Sequence, residues 1–175
     1  MRLRLPNFKE IATILGMMLV GLVWPDIDLA IPFLPHRSAL THSILVPVAL
    51  LGIGFLRGPA TGGMLLGVSV SLTADLFPRA WIGFANVHLP LWGSLGWMSP
   101  VWLVVNILAA LILAQYELTG GGRRSRPLIP YVALGILATG YALTVEHSLW
   151  PLLAFPVLWF ISIKLAAGVF GPEQP

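Results

Sequence analysis

The stretch "IATILGMMLVGLVWPDIDLAIPFLPHRSALTHS", Ile11 to Ser43, passes from an apolar run into a cluster of acids, histidines and hydroxyls. From Ile14 to Trp24 no side chain is charged or hydroxylated, and Pro25 then disfavours a regular continuation of the helix. The reading that follows is a membrane helix ending at a polar boundary. Within the next twenty residues stand Asp26, Asp28, His36, Arg37, Thr41, His42 and Ser43.

Composition carries this reading across the whole chain. Of 175 residues 57% are hydrophobic and 10% charged, against roughly 25% charged in a soluble domain; the mean hydropathy is +0.87. Six apolar segments stand at about 10 to 25, 41 to 56, 61 to 77, 100 to 118, 127 to 145 and 148 to 170. The first three are somewhat shorter than the roughly 20 residues that cross a hydrocarbon core. The expected fold is all-α: a polytopic integral membrane protein of about six transmembrane helices, the first three short. Residues 1–175 read as one membrane domain, with a polar half at 10–100 and supporting helices at 100–170. The first segment follows Arg2, Arg4 and Lys9 but lacks a small-residue cleavage motif after it, which suggests an uncleaved helix.

The chain has no cysteine, so a metal here would use histidine and carboxylate ligands. Its formal charge of +3 does not indicate nucleic acid, because the ten basic residues are scattered between apolar segments. They read instead as topology signals. With the amino terminus inside, Arg2, Arg4, Lys9, Arg57, Arg123, Arg124, Arg126 and Lys164 fall inside, and Arg37 and Arg79 outside. This places both termini in the cytoplasm. All four histidines and four acids, Asp26, Asp28, Asp75 and Glu146, then share the outer side.

Pro78 to Pro100 is rich in Trp, Gly and Pro and reads as an interfacial loop or re-entrant lid after helix 3, with Trp81, Trp92 and Trp97 suited to a membrane boundary. His42 is expected in the first turn of helix 2, capped by Thr41 or Ser38. Asp75 lies at membrane depth and needs a partner: Arg79 one turn later, Arg37, or a metal. Ser71 is one turn earlier on the same face. Asn106 and Gln115 are expected to bridge helices, and His88 to lie at the interface. Glu146 and His147 form a weaker pair. No Walker loop, G-x-S-x-G elbow, H-E-x-x-H pair or dinucleotide fingerprint is present.

The motifs "PDID", "HRSALTHS" and "SLTADLFP" resemble those of the bacterial LexA-binding, inner-membrane-associated metal-dependent hydrolases, over roughly residues 15 to 100. The resemblance implicates Asp26, Asp28, His36, Arg37, Thr41, His42, Ser43 and Asp75. It implies a divalent metal (zinc, manganese or magnesium) held by Asp26, Asp28, His36, His42 and Asp75, with Arg37, Thr41 and Ser43 in catalytic roles. One departure stands out: Ser71 occupies the position where the family pattern has histidine, and serine is no substitute for an imidazole ligand. The site is then completed by another residue, such as His88 or His147, or it is weakened or lost.

Two functional expectations follow. The first is hydrolysis of a lipid-like or phosphate-containing ester at the outer membrane interface, with Arg37 matching anionic oxygens. The second is a non-catalytic subunit that binds a partner complex or lipid through a degenerate site. Membrane lipid is the expected partner, with a membrane protein or a second copy also open to it. A transporter path fits less well, because the polar residues gather on one side.

Overall fold

The computed structural model describes residues 7–77, 85–121, 128–146 and 149–170. Helix α1 covers Phe8–Val23, and a 3₁₀ segment follows at Trp24–Ala30. Helices α2 (Leu45–Gly52) and α3 (Pro59–Asp75) come next, then a small antiparallel hairpin of β1 (His88–Leu89) and β2 (Gly93–Ser94). The chain continues through a short 3₁₀ turn at Gly96–Met98 into α4 (Ser99–Leu118), α5 (Leu128–Tyr141), a π-type turn at Ala142–Glu146, and α6 (Trp150–Phe170). The all-α expectation holds.

Among the described residues three stretches are long and apolar enough to cross a membrane: Phe8–Ala30, Gly96–Leu118 and Trp150–Val169. The expectation of six spans is therefore corrected to three candidates. The clearest failure is α2, whose eight residues rise only about 12 Å. Its neighbourhood shows why. The backbone N–H of Ile44 is held by Asn106 and that of Gly58 by Glu117, both on α4. Eleven residues of helix separate those two side chains, about 16 Å, roughly half of a hydrocarbon core. Hydropathy registers that residues 41 to 56 are apolar; it does not register that the segment is tied at both ends to α4 about half a core apart, with Leu45, Val48, Ile53 and Phe55 left exposed.

The centre of the molecule is α3, in which every residue from Thr61 to Ala74 is buried. Its composition of Gly, Ser and Thr suits that place, since small residues let helix backbones approach closely. Gly63 and Gly67, four residues apart, face the backbone of α1 at Ile14 and Met18, while Gly21 of α1 faces Met64. In each case an added Cβ would strike a backbone carbonyl. The hydroxyls of Ser69 and Thr73 are satisfied inside the helix, donating to Leu66 O and Ser69 O. Helix α1 turns Ile14, Met18, Gly21 and Leu22 towards α3 and leaves Leu19, Val20 and Val23 exposed. Exposed apolar faces of this kind are consistent with a membrane protein.

The paired positions give the helix directions. α1 and α3 run the same way, and α4 and α6 run oppositely: Gly62 meets Leu118, Gln115 donates to Ser162, and Phe77 stacks on Trp150. Gln115 thus bridges α4 and α6 as expected, while Asn106 fastens α4 to the start of α2. The end of α1, the end of α3 and the beginning of α4 lie together at one end of the molecule. The polar cluster forms there.

Candidate functional site

Pro25 sits in the first turn of the 3₁₀ segment, where a missing N–H costs least. The tighter winding sends Asp28 inward, at 2% exposure, and leaves Ile27 and Leu29 outside. The two aspartates of "PDID" are chemically equivalent in the sequence but not in the fold. Asp26 is only partly buried; its carboxylate lies within electrostatic reach of Asp28, His36, His42 and Asp75.

Asp28 organises the turns that follow. Its Oδ2 accepts from the backbone N–H of Ser38 and from the hydroxyl of Thr41, both at 3.0 Å. His36 Nδ1 lies 3.4 Å from its Oδ1, and His42 Nδ1 lies 3.4 Å from its Oδ2. The expectation that Thr41 or Ser38 caps a helix containing His42 is corrected: α2 starts only at Leu45, its preceding residue offers no side-chain cap, and Ser38 and Thr41 serve the carboxylate instead. Ser43 shapes the same turn, donating to Leu40 O and accepting from Leu45 N.

His42 is the hub, at 1% exposure. One ring nitrogen faces Asp28 and Thr41, and the other lies 3.2 Å from Asp75 Oδ2. That second contact is ionic rather than a directed hydrogen bond, because Nε2 is buried and no acceptor meets its N–H direction. Burial disfavours the imidazolium, but the contacts with Asp28 and Asp75 outweigh it and raise the His42 pKa to about 9. Trp102 Nε1–H fixes the ring's backbone by donating to His42 O at 2.9 Å.

Asp75 closes the circuit from the last residue of α3. It pairs with Arg37, whose Nε donates to Oδ1 at 3.1 Å. Arg37 has φ of 59°, a left-handed conformation that costs an L-residue roughly 1–2 kcal/mol. The hairpin holds it there: His88 N–H donates to Arg37 O at 2.9 Å, and Ala39 N–H donates to His88 O at 2.8 Å. His88 Nδ1 also lies 3.1 Å from His36 O, so this nitrogen carries the proton and donates. His88 is therefore a brace rather than a member of the carboxylate cluster. The Arg79 alternative for Asp75, the interfacial placing of Trp81, and the approach of the Glu146 and His147 side chains to the site lie outside the described residues.

The structure thus joins Asp28, His36, Arg37, Thr41, His42 and Asp75 in one network, with Asp26 nearby. Sequence reasoning missed the hairpin brace, which lies in the stretch Pro78 to Pro100 read as an interfacial loop or re-entrant lid. It also missed the reason for Ser71, which is 3% exposed and extends the row Gly63, Gly67 by one more turn.

The donor types fit a divalent cation: carboxylate oxygens and imidazole nitrogens are ligands of zinc, manganese and magnesium sites. The buried His42 Nε2 has no directed partner, and it becomes a metal ligand only on losing its proton, since the imidazolium has no lone pair there. When ionised, three carboxylates outnumber the Arg37 guanidinium and the His42 imidazolium by one negative charge. As the side chains stand, they pair with one another, and among the described residues no group of three or more His, Asp or Glu is arranged around a common metal position. Compared with protein-family models, curated proteins and solved structures, the chain matches none of them.

Proposed function

We propose that this chain is a membrane-embedded hydrolase of a lipid-like or phosphate-containing ester, working at the outer boundary of a bacterial inner membrane. One observation carries the reading: Asp28, His42 and Asp75, separated by up to 47 positions in the sequence, meet in a buried contact chain with Arg37 at its edge. The motif resemblance points the same way. Asp26, Asp28, His36, His42 and Asp75 would hold a divalent metal, which when bound supplies Lewis-acid polarisation and a water of lowered pKa. Thr41 and the Ser38 N–H orient Asp28, Trp102 fixes His42, and Arg37 binds the anionic part of the substrate. In hydrolysis a water oxygen bonds to the phosphorus or carbonyl carbon, the ester oxygen departs, and it takes up a proton. The attacking water supplies that proton. The positions of Lys9, Arg57 and Lys164, at the end opposite Arg37, support cytoplasmic termini.

A second reading has its own observation. The charged groups are already paired with one another and Ser71 stands in a close-packed row, which suits a non-catalytic subunit whose cluster fixes helix ends. Metal analysis separates the two. Protein purified with zinc, manganese and magnesium is expected to retain about one or two divalent ions per chain, and Asp26→Ala, His42→Ala and Asp75→Ala to lose them. A folded chain that retains no metal, with no difference among the variants, sinks the hydrolase reading.

A further inference from the structure

The hairpin combines two features that are unfavourable in water. Leu91, at its tip, is 99% exposed and has φ of 74°, a conformation in which glycine would be at ease. Trp92 beside it is 83% exposed, and Trp97 and Phe33 nearby in the chain are 78% and 84% exposed. A solvated turn has no use for these side chains, whereas a bilayer interface accommodates them. Connectivity places the tip there. β2 ends at Ser94, and the candidate span Gly96–Leu118 begins two residues later. Phe33 likewise follows the span Phe8–Ala30 closely.

The other end of the hairpin grips the cluster. β1 supplies the hydrogen bonds on either side of Arg37, through Arg37 O and Ala39 N–H, and His88 fastens His36 O. The left-handed Arg37 therefore depends on the position of β1. Among the described residues its guanidinium is engaged through Nε alone, leaving the Nη nitrogens to face an outside group at a partly exposed position. Arg37 is also the one Lys or Arg at this end among the described residues. A guanidinium fork at a membrane boundary matches the oxygens of a phosphodiester.

We propose that the His88–Ser94 hairpin is a membrane-seated lip that sets Arg37 to hold the phosphate of a bilayer phospholipid at the mouth of the cluster. The proposal deepens the hydrolase reading by naming its substrate class, and rests on that reading only for what happens to the lipid afterwards. Lipid contact seats Leu91 and Trp92, the seated hairpin holds the strained Arg37 backbone, and Arg37 keeps its free nitrogens towards the headgroup.

The full chain lacks cysteine, so Leu91→Cys carries a single nitroxide label in phosphatidylglycerol–phosphatidylcholine vesicles. Power saturation is expected to show more collision with oxygen than with a water-soluble nickel chelate, as for a label at Val105→Cys on the exposed face of α4. In native mass spectrometry the wild type is expected to retain phosphatidylglycerol over a diacylglycerol with the same acyl chains. Arg37→Gln should reduce that preference about ten-fold, as for loss of a charge-assisted hydrogen bond. Leu91→Gly, which suits the backbone and removes only the seat, should weaken it as well. A water-exposed label at position 91, an unchanged preference in either variant, or equal competition by inorganic phosphate overturns the proposal. Metal analysis is a separate measurement: a chain that binds no metal but passes these tests loses the hydrolase reading and keeps the lip.

Discussion

Gly67→Ala tests the packing on which the site rests. A Cβ at this position would meet the Met18 carbonyl and lie 2.7 Å from Leu22 N and 2.9 Å from Met18 C. These are backbone atoms of a helix, so no side chain can swing aside. Restoring an ordinary contact near 3.5 Å to the Met18 carbonyl moves α1 and α3 apart by about 1.5 Å. Overpacking of this kind costs about 1–3 kcal/mol, and the gap opened along the rest of the interface forfeits further dispersion energy. The intrinsic helix preference for alanine returns about 1 kcal/mol, leaving an expected net loss of about 1–2 kcal/mol. Gly16 in the same α1 helix is the matched control, because nothing lies within 4 Å of its added Cβ; Gly16→Ala should leave stability unchanged or raise it by up to about 1 kcal/mol. The assay is unfolding by SDS titrated into dodecyl maltoside micelles, followed by tryptophan fluorescence. Equal midpoints for the two variants would refute the close α1–α3 contact. The site should respond too, since Asp28 follows α1 and Asp75 ends α3, and separating them stretches the contacts of His42 at 3.4 and 3.2 Å.

Asp28→Ala should destabilise the chain by about 3–5 kcal/mol, because His42, Thr41 and the Ser38 N–H lose their shared buried acceptor; a loss under about 1 kcal/mol in the same titration would show that the network is solvated. In chelator-treated protein, the raised His42 pKa predicts stability that is complete below the ordinary histidine value near 6.5 and declines as pH rises towards and through about 9. A stability profile in which His42→Gln removes no pH dependence between those values contradicts the charged bridge. Gln115→Leu should cost only about 0.6 kcal/mol, the typical worth of an interhelical hydrogen bond in a membrane protein, and Ser162→Ala should add little to it in a double-mutant cycle.

Much of the site was legible because its logic is local and chemical. Polar groups at the end of an apolar run need partners, and a charge-biased topology puts Asp28, His42 and Asp75 on one side. The choice between Asp26 and Asp28 was not legible: they differ only in azimuth on a 3₁₀ turn. The roles of Ser38 and Thr41 were misread for a related reason. A hydroxyl before an apolar run signals a cap, and only the arrival of Asp28 from another segment redirects it. The hairpin was hidden in a Trp-, Gly- and Pro-rich stretch, where two-residue strands leave no period to detect.

What the sequence determined by itself was the apolar composition, the helical class, the stop at Pro25 and the inventory of ligand-type side chains, all of which depend on composition and on neighbours a few residues apart. Tertiary structure decided which apolar helices are long enough to cross lipid, that α3 lies at the centre, and that Gly21, Gly63 and Gly67 are points of contact. It also decided that a strained Arg37 is braced by His88. Each of these depends on a partner distant in the chain, and hydropathy, which sums residues one at a time, carries no information about that partner.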